Sequence, residues 1–156
     1  MASVVTLDEL DALVAVDRAA GRSIALANGV FDLLHVGHIR YLEGAKAEAD
    51  RLIVAVNDDA SVRALKGEGR PVMGQADRAE LIAALRAVDY VLVFSGRTVT
   101  DVLLRYKPDV HCKGTDYTVE TVPERPIVQS YGGRTAIVGD PKDHSTRDLV
   151  SRLHSR

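Results

Sequence analysis

The 156-residue chain contains a single cysteine, no tryptophan, and only two phenylalanines and five tyrosines. A lone thiol, Cys112, excludes an internal disulfide and any multi-cysteine zinc cluster. Its place in the run "DVHCK" fits a buried strand thiol better than a nucleophile. No apolar run approaches the roughly 20 residues needed to cross a bilayer, so no membrane partner is expected. The N-terminus "MASVVTLDEL" lacks the basic and apolar regions of a secretory leader, and a cytoplasmic location is expected. Lys and Arg total 20 against 22 Asp and Glu, a formal net charge of -2 with no basic block. That balance omits the electrostatic footprint of a nucleic-acid binder, and a charged small molecule is the better-matched ligand.

What is present is a regular alternation. Thr6 and Glu9 open a first helix with a capping-box pattern, and Gly21 follows its last turn. "SIALAN", "RLIVAVN", "DYVLVF", "DVHCK" and "RTAIVG" are short apolar runs, each separated from the next by a stretch with helical spacing. One such stretch is predicted from about Val122 to Tyr131, and "STRDLVSRLH" is predicted as the last helix. Five buried strands alternating with helices predict an α/β fold, a five-stranded parallel sheet covered on both faces. The length matches one domain with its own core, residues 1–22 being an N-terminal helix and 23–156 the body. Ligands of such sheets lie beyond the carboxyl ends of the strands, near the switch in strand order.

The stretch "LANGVFDLLHVGHIRYL" places His35, Gly37 and His38 where the first buried strand hands over to a helix. Three readings fit: a zinc site, a packed structural turn, or a phosphate cradle. Zinc needs three or four ligands, and His111, His144 and His154 are remote, with no carboxylate or cysteine at ligand spacing, so no metal ligand is assigned. A cradle has a physical basis, because the first peptide NH groups of a helix lack internal partners and glycine lets phosphate oxygens approach the backbone. These four positions alone do not choose between cradle and turn.

The longer stretch "GVFDLLHVGHIRYLEGAKAEADRLIVAVNDD" resembles the opening of the cytidylyltransferase-like nucleotidyltransferases, whose signature is histidine, any residue, glycine, histidine after a strand. "KGEGRPV", "DRAELIAALRAVDYVLVF", "KPDVHCKGTDY", "YGGRTAIVG" and "HSTRDLVSRL" resemble, in order, blocks of the adenylyltransferase domains that act on D-glycero-β-D-manno-heptose 1-phosphate. The resemblance covers roughly Ile24 to Leu153. It implies a Rossmann-like fold, ATP and a sugar 1-phosphate as substrates, ADP-heptose and pyrophosphate as products, and Mg²⁺ held mainly by the triphosphate. A homodimer and a separate sugar kinase acting beforehand are further family expectations.

Carried over residue by residue, the resemblance makes His35 and His38 the catalytic phosphate donors, with Gly29, Val30, Phe31 and Gly37 in the adjoining nucleotide-binding turn. Lys46 is assigned to phosphate charge, although it lies about 12 Å along the helix from His38 and a solvated lysine is the plain alternative. Lys113, Gly114, Asp116 and Tyr117 are assigned to the base loop, where an ordinary tight turn would look the same. Ser145 and Thr146 cap a helix and offer a second anion seat. Asp32, Asn57, Arg70 and Arg78 are assigned to the acceptor side, Arg78 either near the phosphates or supporting the site, with turn ordering, helix capping beside Asp58 and surface pairing as structural alternatives.

The sequence also departs from the pattern. Val30 stands where the heptose enzymes commonly have cysteine, Thr115 replaces a second glycine, Arg147 replaces a second threonine, and "PVMGQAD" differs from the usual loop. Two alternatives follow: a CTP-dependent enzyme acting on a polyol or amino-alcohol phosphate such as glycerol phosphate, and a non-catalytic nucleotide-binding regulator.

Overall fold

The five apolar runs form strands in a computed structural model that describes residues 2–140 and 146–154. In chain order the elements are β1 (Ser3–Val4), α1 (Leu7–Ala19), β2 (Ile24–Gly29), α2 (Val36–Lys46), β3 (Arg51–Asn57), α3 (Asp59–Lys66) and α4 (Gln75–Ala83). They continue with β4 (Tyr90–Phe94), α5 (Thr100–Tyr106), β5 (Val110–Lys113), a 3-10 turn (Val119–Thr121), α6 (Arg125–Ser130), β6 (Arg134–Ile137) and α7 (Thr146–His154). The helix α1 starts as its capping box predicts: Glu9 N donates to Thr6 Oγ1 at 3.2 Å, and Thr6 N donates to Glu9 Oε1 at 3.1 Å.

The sheet is parallel throughout, in the order β1-β4-β3-β2-β5-β6. Six strands therefore replace the expected five. The extra strand, β1, pairs Ser3 with Tyr90 and Val4 with Val91, and two residues are too few to carry a periodic signal. The helical stretch expected from Val122 is also shorter. Val122 is extended, with φ -67° and ψ 118°, because the following Pro123 disfavours helical backbone, and α6 begins at Arg125.

Alternate strand residues feed two cores. Ala25, Ala27, Val54, Val56 and Cys112 face α2 and α4 through Leu42, Ala45, Ala79 and Ile82. Ile24, Leu26, Ile53 and Leu92 face the opposite way, onto Leu10 and Val14 of α1, Leu103 of α5 and Val128 of α6. From β2 the chain winds outward through β3 and β4, then crosses back to lay β5 on the other side of β2. The switch in direction falls between β2 and β5, and in open α/β sheets the ligand crevice lies beyond the carboxyl ends of the strands at such a point.

The N-terminal segment is bound to the same sheet by a buried ionic knot. Asp17, 2 % exposed, accepts from the Tyr90 hydroxyl at 2.6 Å and pairs with Arg22 Nη1 at 3.1 Å and Arg51 Nε at 3.3 Å. Removing one partner of a buried, hydrogen-bonded charge strands the others. Asp17→Ala should therefore lower unfolding stability by about 2–4 kcal/mol, read as a lower urea midpoint.

Candidate active site

The turn from β2 to α2 lies at the carboxyl end of β2, beside the crevice. Its helix is capped by histidine rather than by a hydroxyl or a carboxylate. Gly37 N donates to His35 Nδ1 at 3.1 Å, and His35 N donates to His38 Nδ1 at 3.2 Å. The two imidazoles thus form a reciprocal capping box, their ring centroids 3.9 Å apart. An Nδ1 that accepts a backbone NH carries no proton, so each neutral ring holds its proton on Nε2. Burial first, then the electrostatic influence of the neighbouring His35 and Lys66, push the His38 pKa down to about 4, and the ring is neutral at pH 7.

The turn itself is strained. Phe31 and Leu33 both sit at φ 53°, a left-handed conformation that side chains resist and that concentrates at functional sites. Two buried charges hold it. Arg78, fully buried, donates from Nη1 to Val30 O at 2.7 Å and Asn57 O at 2.8 Å, and from Nε to Met73 O at 2.9 Å. Its Nη2 meets Asp59 Oδ1 at 2.8 Å. Asp32, 2 % exposed, accepts from Val72 N at 2.8 Å and Met73 N at 3.0 Å, docking the loop after α3 onto the turn. Gly29 lets the Phe31 ring pack closely on the strand end, a Cβ there lying 3.2 Å from it. That ring is buried and sits edge-on to His38 at 5.6 Å, so it braces the histidine instead of lining an open cradle.

Other predicted residues fall nearby. Lys113 ends β5, and its ammonium lies 4.8 Å above the Tyr117 ring; burial lowers its pKa, partly offset by Glu124 and Asp116. Gly114 O accepts from Tyr117 N at 3.1 Å, closing a tight turn that leaves Asp116 exposed. Thr115, the departure from a glycine, donates through Oγ1 to Asp140 O at 2.6 Å, and Asp140 pairs with Arg40 of α2. Gly44 and Gly139 let α2 and the segment after β6 come close, a Cβ on Gly139 falling 3.2 Å from Tyr41 Cα. Arg70 Nε lies 3.3 Å from Asp32 Oδ2, while its Nη2 is buried without a hydrogen-bond partner. Asn57 is 5 % exposed and donates to Gly96 O at 3.3 Å; Asp58 caps α3 through Ser61 N at 2.9 Å. Ser145 lies outside the described residues, and Thr146 is described only as the first backbone position of α7.

Two assignments need correction. Lys46 is not brought to the histidines, because α2 carries it away to the amino-terminal edge of the sheet. There its Nζ donates to Asp89 Oδ2 at 2.6 Å and Asp50 O at 2.7 Å. The lysine whose charge reaches His38 is Lys66, at the end of α3. Arg78 is no substrate ligand either: with no exposed surface and four protein partners, it positions the turn. Sequence reasoning missed Tyr41, which donates to Cys112 O at 2.6 Å and stacks on Phe31, as well as His111 and Asn28, joined at 2.8 Å across β5 and β2. Helical spacing marked Tyr41 only as apolar. Among the described residues no group of three or more His, Cys, Asp or Glu side chains converges as a metal site, and no helix is long and apolar enough to cross a membrane.

A helix start capped by two neutral imidazoles, at the switch point of a parallel sheet, fits the binding of a phosphorylated nucleotide. Residues 26–151 match the Cytidylyltransferase-like family, and the chain belongs to that family of nucleotidyltransferases. It is 43 % identical to the bifunctional protein HldE of Geobacter sulfurreducens over 152 residues, covering 97 % of this chain and 31 % of that protein. The HldE proteins of Pseudomonas fluorescens and Koribacter versatilis are 46 % and 47 % identical, over 97 % and 98 % of this chain and 32 % of each relative. The chain thus spans about a third of the length of these curated relatives. A crystal structure of a lipopolysaccharide core biosynthesis protein from Thermoplasma volcanium superimposes with a TM-score of 0.67 at 27 % identity, over 78 % of this chain and all of that one.

Three substitutions separate these roles. Arg78→Met should cost about 3–5 kcal/mol, because three carbonyls and Asp59 lose their buried partner, whereas Lys46→Met should cost about 1 kcal/mol and leave turnover unchanged. Denaturant titration and a pyrophosphate-release assay read both. The depressed His38 pKa also predicts a pH slope: the unfolded chain takes up a proton near pH 6.5 that the folded ring refuses until about pH 4. Unfolding free energy should fall as pH drops through that window, and His38→Gln should lack this part of the slope.

Proposed function

We propose that the chain transfers the adenylyl group of ATP to D-glycero-β-D-manno-heptose 1-phosphate, giving ADP-heptose and pyrophosphate. The observation that carries the chemistry is the reciprocal imidazole cap, which puts the protons of two neutral rings on Nε2 at the head of a helix whose own amides favour anions. The choice of substrates rests on the likeness to HldE over nearly the whole chain. Those relatives are named bifunctional, and this chain spans about a third of them; a sugar kinase is the activity that would supply the acceptor phosphate.

In this reading an oxygen of the sugar 1-phosphate attacks the α-phosphorus in line, and pyrophosphate leaves. The acceptor is ionised at neutral pH, so no strong base is required and positioning with charge stabilisation does the catalysis. His35 and His38 donate to the oxygens on which charge builds, with Lys66 adding positive potential. Arg70, beside the turn, neutralises the acceptor phosphate. Lys113 and Tyr117 hold the nucleotide's base end, and the start of α7, with Ser145 and Thr146, seats the outer phosphates. The donors around the turn repel a bare cation and attract phosphate, which fits magnesium arriving on the triphosphate, where it neutralises charge.

Incubated with ATP, Mg²⁺ and the heptose phosphate, the chain should release pyrophosphate and form ADP-heptose faster than it turns over CTP with glycerol phosphate. The reverse preference would assign it to the polyol branch, and no release with any pair would make it a regulator. His38→Ala should lower kcat roughly 100- to 1000-fold with only a small change in ATP affinity, because its donor acts on charge that develops during the reaction. Equal losses in both would remove that role.

A further inference from the structure

Among the buried polar groups near the crevice, one carboxylate stands apart from the assigned machinery. Glu124, 8 % exposed, precedes α6, yet its side chain makes no cap bond to that helix. Its Oε2 is buried with no hydrogen-bond partner. Leaving a carboxylate oxygen buried and unmatched is costly, so a fold retains one where another molecule completes it.

Its surroundings show where that molecule lies. The charge of Glu124 acts on Lys113, at the end of β5, and adds to the effect of burial on the Tyr41 hydroxyl, which is bonded to the neighbouring Cys112 O. Glu124 lies between the 3-10 turn and α6, in the segment that follows the turn Gly114 to Tyr117, and its charge is felt at the carboxyl end of β5. Among the described residues no cation pairs with it, Lys113 included, whose ammonium rests over the Tyr117 ring. An acceptor, a donor and a half-buried aromatic face at one strand end match a flat heterocycle with a hydrogen-bonding edge better than an anion. A carboxylate repels phosphate and keto oxygens and accepts from NH₂.

We infer that Glu124 is a specificity residue that accepts from the exocyclic amino group of the nucleobase, selecting amino-bearing bases over their keto counterparts. The inference rests on the nucleotide reading above and deepens it. Inosine triphosphate is the discriminating probe, because it differs from ATP by an oxygen in place of the amino group and a proton on the adjacent nitrogen.

Calorimetric binding of ATP, ITP, CTP and UTP, each with Mg²⁺, to the full chain tests this without an acceptor. The wild-type chain should bind ATP roughly 10- to 100-fold more tightly than ITP, and CTP more tightly than UTP. Glu124→Gln, whose amide can donate to a keto oxygen, should weaken ATP, strengthen ITP and bring their ratio close to one. Glu124→Asp, with the same charge drawn back, should weaken ATP while still rejecting ITP, which separates base reading from any loss of folding. Wild-type affinities independent of the amino group, or a ratio unchanged in Glu124→Gln, would overturn the inference while leaving nucleotide binding intact. A Glu124→Gln effect confined to the KM of the sugar phosphate would overturn it too, by moving the residue to the acceptor. Absence of binding by all four nucleotides would instead remove the nucleotide reading beneath it.

Discussion

The site depends on a helix cap built from side chains that also carry donors. The first amides of α2 need acceptors, and serine, aspartate or asparagine commonly supply them. Each of those caps meets the need with an oxygen and leaves little to present to a ligand, or presents a negative charge. Imidazole differs because its ring has an acceptor on one nitrogen and a donor on the other, rigidly linked. Once His35 and His38 accept backbone protons through Nδ1, the proton of each neutral ring is fixed on Nε2. The requirement of the fold and the requirement of the chemistry are satisfied by the same two bonds.

The sheet separates its charges to the same end. At the amino-terminal rim, aspartates that precede strands accept from the neighbouring strand: Asp50 from Ser23 N at 2.8 Å, Asp89 from Leu52 N at 2.8 Å and Asp109 from Ile24 N at 2.8 Å. Lys46 and Arg18 balance Asp89 and Asp109 there. At the opposite rim Lys66, Arg70, Arg78 and Lys113 gather around the switch point. A near-neutral chain thus keeps a donor-rich face without a basic surface. Arg78 explains how that face stays ordered, since one buried guanidinium ties the β2 turn, the end of β3 and the start of the α4 loop together.

The parts of this arrangement that were legible in the sequence are those written in local chemistry. Apolar runs of five to seven residues separated by helical spacing set the parallel sheet, and Thr6, Glu9 and Asp58 marked helix starts through residue types that cap. β1 escaped because two residues have no period, and its pairing with β4 is decided across the chain. Lys46 was misplaced for a geometric reason. A helix rises about 1.5 Å per residue, so α2 carries Lys46 on its last turn to the far rim, while the charge felt at His38 is that of Lys66 on α3, which helical spacing along α2 could not reveal. Arg78 looked like a phosphate ligand because a buried arginine and a substrate arginine have the same letter; only its four protein partners distinguish them.

Neutrality of the His38 ring bears on how such a site separates ground state from transition state. A cation at the same point would hold the triphosphate tightly before reaction, and uniform binding of that kind raises affinity without raising turnover. A neutral NH donor gains most when its acceptor oxygen gains charge, in a site where burial weakens competition from water. Burial lowers the His38 pKa to about 4, against the attraction any bound phosphate would exert on an imidazolium. In the proposed reaction cationic help comes from Lys66, whose charge acts on His38, and from Arg70, beside Asp32 in the turn. In that reaction the full charges of Lys66 and Arg70 would hold the substrates, and the uncharged His38 dipole would act where bonds change.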